Sequence, residues 1–226
     1  MFEYHSQILA DFPTIRAGVL LAEGVDNGPA PPPLADRFAG QQAATLQQLD
    51  GVALADLPSI TAWRRTFSRF GAKPTQYRNA AEALLRRLTK QGDIPSISTL
   101  VDIGNLVSIR HAVPVAVFDL DGIEGRLTVR YAEGTEPFSD LGSSETTHPE
   151  PGEVVFTDDG SRVHARRWCW RQSAESATGP SSKRVLVVTE ALHDDAATDV
   201  GAALRDLQRL FTEYQPQAET ATQLLP

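Results

Sequence analysis

Pro114 limits the fold more than any other position in this chain. The segment before it, PSISTLVDIGNLVSIRHAV (95–113), places Leu100, Ile103, Leu106 and Val107 at helical spacing. Proline has no amide to donate and clashes with the preceding turn. The helix must therefore stop, and VAVF (115–118) is expected to run as a strand. Before this break the chain reads mostly as helices. After it, the chain reads as strands until a final helix.

On the helical side, ADRFAGQQAATLQQL (35–49) is helix-prone. DLPSITAWRRTFSRFG (56–71) sets Ile60, Trp63 and Phe67 on one side, with Gly71 as its stop. YRNAAEALLRRLTKQG (77–92) is the clearest helix: Ala81, Leu84, Leu85 and Leu88 form an apolar stripe and Gly92 ends it. Arg86, Arg87 and Lys90 fall on its opposite arc. IRAGVLLAEGV (15–25) reads as a buried strand, and the prolines of GPAPPPL (28–34) as a loop.

On the strand side, Leu127, Val129 and Tyr131 alternate with Arg126, Thr128 and Arg130. EVVFTDDGSRVHARRWCW pairs two strands around Asp159-Gly160, and KRVLVVTEAL (183–192) is a further strand. DDAATDVGAALRDLQRLFTEY (194–214) is an amphipathic helix with Val200, Leu204, Leu207, Leu210 and Phe211 inward. The tail after Pro216 is expected to fray. The order predicts an α+β fold, helices packed on a mostly antiparallel sheet or sandwich core.

A chain of 226 residues suits one domain over 1–226. A single cysteine, Cys169, excludes an internal disulfide and a cysteine-rich zinc site, and fits a cytoplasmic location. There is no signal-peptide pattern at the start and no run of about 18 apolar residues, so no membrane partner is expected. The net charge of −8 argues against general nucleic-acid affinity. Yet residues 62–90 hold Arg64, Arg65, Arg69, Lys73, Arg78, Arg86, Arg87 and Lys90 against Glu82 alone. Arg64, Arg65, Arg86, Arg87 and Lys90 are accordingly candidate RNA contacts.

FDLDG (118–122) is the loudest short motif. It resembles the first motif of haloacid dehalogenase-like phosphatases, where two carboxylates two residues apart face one magnesium ion. The Thr or Val that follows in that family is Ile123 here, and no later acidic motif of the right shape appears. His5, His111, His148, His164 and His193 make no metal-binding pair, and there is no G-x-S-x-G. No metal or cofactor is expected.

RRWCWRQS (166–173) is harder to place. As a strand it would send Arg167, Cys169 and Arg171 to one face and Arg166, Trp168, Trp170 and Gln172 to the other. Neither face is simply apolar, so one of them is a candidate cleft wall.

Taken together, YRNAAEALLRRLTKQGDIPSISTLVDIGNLVSIRHAVPVAVFDLDGIEGRLTVRYA, PGEVVFTDD, RRWCWRQS and RVLVVTEAL resemble the B3/B4 domain of the phenylalanyl-tRNA synthetase β subunit, and most of all its free-standing relatives. The resemblance runs over roughly 60–192, with 1–59 as an N-terminal extension and 193–226 as a closing helix and tail. It rests on V-D-x-x-N followed by P-x-x-x-F-D-L-D-x-I-x-G. In the synthetase this domain hydrolyses tyrosine wrongly esterified to tRNA. The resemblance implies tRNA or an aminoacyl compound as partner, with Asn105 and Glu190 as catalytic candidates. Gly104 stands where the family has Thr, Ala116 where it has His, and WCWRQ where it has a glycine-rich wall. Ser108, Arg167, Trp168, Trp170, Arg171 and Gln172 are the candidate substrate-binding residues.

Overall fold

The computed structural model describes residues 1–143 and 145–226. In chain order the elements are β1 (Phe2–Tyr4), α1 (Ser6–Asp11), β2 (Arg16–Glu23), α2 (Pro32–Gln48), α3 (Pro58–Arg69), α4 (Ala80–Gln91), α5 (Thr99–His111), β3 (Val115–Asp119), β4 (Leu127–Tyr131), β5 (Phe138–Ser139), β6 (Thr146–Thr147), β7 (Val154–Thr157), β8 (Val163–Arg166), β9 (Arg171–Gln172), β10 (Arg184–Ala191), α6 (Ala196–Tyr214) and β11 (Glu219–Leu225). The fold is α+β.

Two sheets and a helical layer stack around β10. One antiparallel sheet has the order β11-β2-β10-β3. The other has the order β1-β4-β7-β8-β9 and is antiparallel except where β1 joins β4. Along β10, Val185 and Val187 pack into a core shared with α2, α4, α5 and α6, while Leu186 and Val188 pack into a second core with Phe118, Phe156, Trp63 and Trp168. Period-2 alternation of a strand buried on both faces produces this division. β5 and β6 form a separate small hairpin.

The helix ends follow local chemistry. Asn79 caps α4 by accepting the Glu82 amide at 3.0 Å, and Gly92 closes it in the left-handed region at φ 86°. At the end of α5, Ala112 turns left-handed and the Ser108 hydroxyl donates to the Val113 carbonyl at 2.7 Å, which delivers the chain to Pro114 and β3.

Three expectations are corrected. The 28–34 loop is shorter than expected, because Pro32 and Pro33 occupy the first turn of α2, where a missing amide carries no penalty. The tail after Pro216 is not frayed: β11 pairs with β2 from Glu219↔Glu23 to Leu225↔Ala17. The strand expected through RRWCWRQS stops at Arg166, turns over 167–170 and resumes for two residues as β9. The backbone explains the break, since Arg167 and Trp168 sit at φ 44° and 62°.

FDLDG is a loop lock. Asp119 Oδ1 accepts the Asp121 amide at 3.0 Å and its Oδ2 accepts the Ser182 hydroxyl. Among the described residues no cluster of metal-ligating side chains occurs, there or elsewhere. A Cβ on Gly122 would lie 1.8 Å from the Glu175 carbonyl oxygen. Gly122→Ala is therefore expected to lower stability by about 2–3 kcal/mol in urea unfolding, the upper range for overpacking. A change within about 0.5 kcal/mol, typical of an unconstrained surface site, would show that this approach is not rigid.

Candidate active site around Glu190

The 167–170 turn is built by carboxylate anchoring. Arg166 forks onto Glu153 at 3.0 and 2.8 Å, and the Arg167 amide donates to the same carboxylate at 2.9 Å. The Trp168 amide donates to the Val154 carbonyl at 2.6 Å. The Cys169 carbonyl accepts the Ala80 amide at 2.8 Å, tying the turn to the start of α4. Left-handed backbone at two bulky residues costs on the order of 1–3 kcal/mol each and persists where surrounding contacts enforce it.

The turn drives Trp168 completely into the second core. Its ring meets Phe12 and Trp63 edge-on, with centroids at 5.2 and 5.3 Å, and lies near Tyr4 and Phe70. Its indole Nε1 donates to Glu190 Oε1 at 2.9 Å, and the Tyr4 hydroxyl donates to the same oxygen at 2.5 Å. No described residue hydrogen-bonds Glu190 Oε2. Burial pushes the Glu190 carboxyl up to about 7 against the pull of these two hydrogen bonds. Burial, reinforced by Glu190, also raises Tyr4 and Cys169 well above their usual values.

Glu190 lies at one wall of a cavity of about 80 Å³. Phe118, Phe156, Val188 and Trp168 form apolar walls, Ala116 and Cys169 line it, and Trp170, Arg171 and Gln172 contribute from the turn and β9. The Gln172 Nε2 donates to the Val117 and Ser176 carbonyls at 2.9 Å each, and its Oε1 has no partner among the described residues. Beside the cavity, the Arg167 guanidinium lies 3.8 Å from the Tyr77 ring centroid and 4.7 Å from that of Trp170. Arg171 lies 4.5 Å from the Trp170 centroid and pairs with Asp140. Burial holds Arg167 below the usual guanidinium value.

The structure thus gathers Glu190, Trp168, Trp170, Arg171 and Gln172 at one cavity, with Arg167 stacked beside it. Asn105 is half-buried on α5 and does not line the cavity. Ser108 is buried, with its hydroxyl spent on Val113. Of the candidate RNA contacts, Arg64 forks onto the buried Glu82 at 3.1 and 2.5 Å. Arg87 Nε donates to the Asp93 carbonyl, Arg65 and Lys90 are exposed, and Arg86 is half-buried. None of them lines the cavity. The sequence held no site signal for Tyr4 or for the apolar walls Phe118, Phe156 and Val188, and showed Cys169 only as part of a strand face. Tyr4 belongs to a three-residue strand whose pattern carried no distinguishing signal.

Comparison with known proteins agrees with this architecture. A family model described as B3/4 domain matches residues 62–214, more than half of the chain. The protein belongs to the B3/4 domain family. It is similar to the phenylalanine–tRNA ligase beta subunit of Chromobacterium violaceum, at 32% identity over 99 residues, covering 42% of this chain and 12% of that subunit. It is also similar to the same subunit of Fusobacterium nucleatum, at 28% identity over 119 residues, covering 53% of this chain and 14% of the relative. The matched stretches are thus a small part of those subunits. Among solved structures, an N-terminal fragment of the phenylalanyl-tRNA synthetase beta-subunit from Pyrococcus horikoshii shares the fold, with a TM-score of 0.50 and 12% identity, covering 100% of this chain and 54% of that one. No helix of the described residues is long and apolar enough to cross a membrane.

The raised carboxyl makes stability depend on pH. In the folded chain Glu190 keeps its proton up to about pH 7, whereas a carboxyl at the usual 4.5 has lost it. Between those values the folded state binds more protons, so this contribution is full below about 4.5 and is lost as pH rises through 7. Wild type is expected to lose about 3 kcal/mol between pH 4.5 and 8 that Glu190→Gln does not lose. Parallel pH profiles for the two proteins in urea unfolding would refute this.

Proposed function

We propose that the protein binds the acyl end of an aminoacyl-tRNA and hydrolyses its ester in trans, with Glu190 as the proton acceptor. The observation that supports this most is the Glu190 carboxyl: it is buried, has one oxygen fixed by Tyr4 and Trp168 and the other unbonded among the described residues, and is pushed up to about 7 by burial. A base with that midpoint suits proton transfer at neutral pH. Glu190 takes a proton from a water as its oxygen bonds to the acyl carbon. The ester C–O bond then breaks and the proton passes to the departing ribose oxygen. Arg171 is the one cation among the residues lining the cavity; released from Asp140, it would meet the developing negative charge. The free Gln172 Oε1 suits the ammonium of an aminoacyl group.

For the RNA, α4 supplies a direction. Its first residue, Ala80, lines the cavity, and Arg86, Arg87 and Lys90 follow along the helix. Lys90 lies about 15 Å farther on at 1.5 Å per residue. The stack of Tyr77, Arg167 and Trp170 beside the cavity suits a terminal base.

Purified protein incubated with a panel of aminoacyl-tRNAs is expected to release amino acid from at least one of them. Glu190→Gln is expected to slow that release by about 100-fold or more, the usual range for losing a general base. Binding of the RNA should weaken as salt rises. Absence of deacylation above the buffer rate, together with ligand binding detected by thermal shift, would instead favour a non-catalytic module derived from the same domain. The departures from the family pattern at Gly104 and Ala116 favour that second reading.

A further inference from the structure

The cavity is small for the ligand class it would serve. At about 80 Å³ it holds several water molecules. An apolar cavity of roughly 150 Å³ is what a single benzene ring occupies. The cavity opens to solvent past Ala116, Trp170, Arg171 and Gln172, and its inner walls have little freedom to retreat. Phe118, Phe156, Trp168 and Val188 are each at most 2% exposed. Phe118 and Phe156 pack against each other with centroids 5.5 Å apart, and Trp168 is wedged among Phe12, Trp63 and Tyr4. Widening the cavity by a phenyl ring would mean displacing a close-packed core. The turn carrying Trp168 and Trp170 is itself pinned by Glu153 and the Ala80 amide.

We infer that the site takes an acyl group no larger than seryl, that is glycyl, alanyl or seryl, and excludes aromatic amino acids by the volume between Phe118, Phe156, Trp168 and Val188. The inference rests on the aminoacyl-ester reading of the site above and specifies its substrate class. Val188 and Ala116 are the residues that would set the limit. They are register partners on β10 and β3, and both line the cavity.

The experiment measures hydrolysis of glycyl-, alanyl-, seryl-, valyl-, phenylalanyl- and tyrosyl-tRNA by the full chain. It also measures binding of the non-hydrolysable 3′-alanylamido and 3′-tyrosylamido adenosines by tryptophan fluorescence. The small esters are expected to react about 100-fold faster than phenylalanyl or tyrosyl esters, in line with steric discrimination by pocket size. Val188→Ala should raise the valyl rate about tenfold relative to alanyl. Ala116→Val, a change a strand accommodates, should abolish alanyl turnover and alanylamide binding while thermal unfolding shows a folded protein. Tyrosyl or phenylalanyl turnover as fast as alanyl would overturn the size limit and leave the hydrolase reading standing. If no ester is cleaved, alanylamide binding without tyrosylamide binding sustains the size limit and overturns the hydrolase reading. Equal binding of the two amides, or binding of neither, overturns the size limit.

Discussion

The hydrogen bond from the Trp168 indole to Glu190 joins the two halves of this molecule. Trp168 comes from a turn between β8 and β9, in one sheet, and Glu190 from β10, in the other. Their contact carries a polar pair through an otherwise apolar core of Phe, Trp and Leu side chains. Such a pair is tolerable only when the carboxylate is hydrogen-bonded, and Tyr4 supplies the second donor from β1. Each donor is neutral, so the carboxyl is held in place without being forced to ionise. That combination leaves a fixed group that can change protonation near neutral pH.

Acidic anchors organise the basic residues in the same manner. Glu153 fixes Arg166 and the Arg167 amide, and the nearly buried Glu82 holds Arg64 with Arg78 alongside. The strongly basic stretch from 62 to 90 is therefore less basic at the surface than its composition indicates. Arg65, Arg69, Lys73, Arg87 and Lys90 are exposed, whereas the half-buried Arg64 is neutralised by the buried Glu82. Surface charge on an acidic protein is here partly a by-product of building helices onto a core.

Elements that bury one apolar face, or both, were legible in the sequence. The stripe Ala81, Leu85, Leu88 placed α4, the apolar run of β10 placed the central strand, and Pro114 marked the change from helix to sheet. What stayed illegible depends on partners far along the chain. A left-handed turn at Arg167 and Trp168 requires Glu153, which local propensity cannot show, and glycine is the residue that adopts such backbone without strain. Bulky side chains therefore follow a path here that suits glycine. β11 is a polar, exposed strand held by backbone pairing to β2, with no apolar alternation to announce it. Of the residues the resemblance suggested, Glu190 lines the cavity, and Tyr4, which the sequence did not single out, is one of its two hydrogen-bond donors. The same resemblance pointed to Asn105, which lies on α5 outside the cavity lining.

Glu190 is a buried carboxyl held near neutrality by burial against the pull of two neutral hydrogen bonds. Its titration can be followed directly by carboxyl-selective ¹³C NMR on glutamate-labelled protein, with the Glu190→Gln spectrum identifying the signal. A midpoint of about 7 is predicted. A midpoint near the usual 4.5 would show instead that burial does not hold the proton on Glu190, which would then be fully ionised at neutral pH.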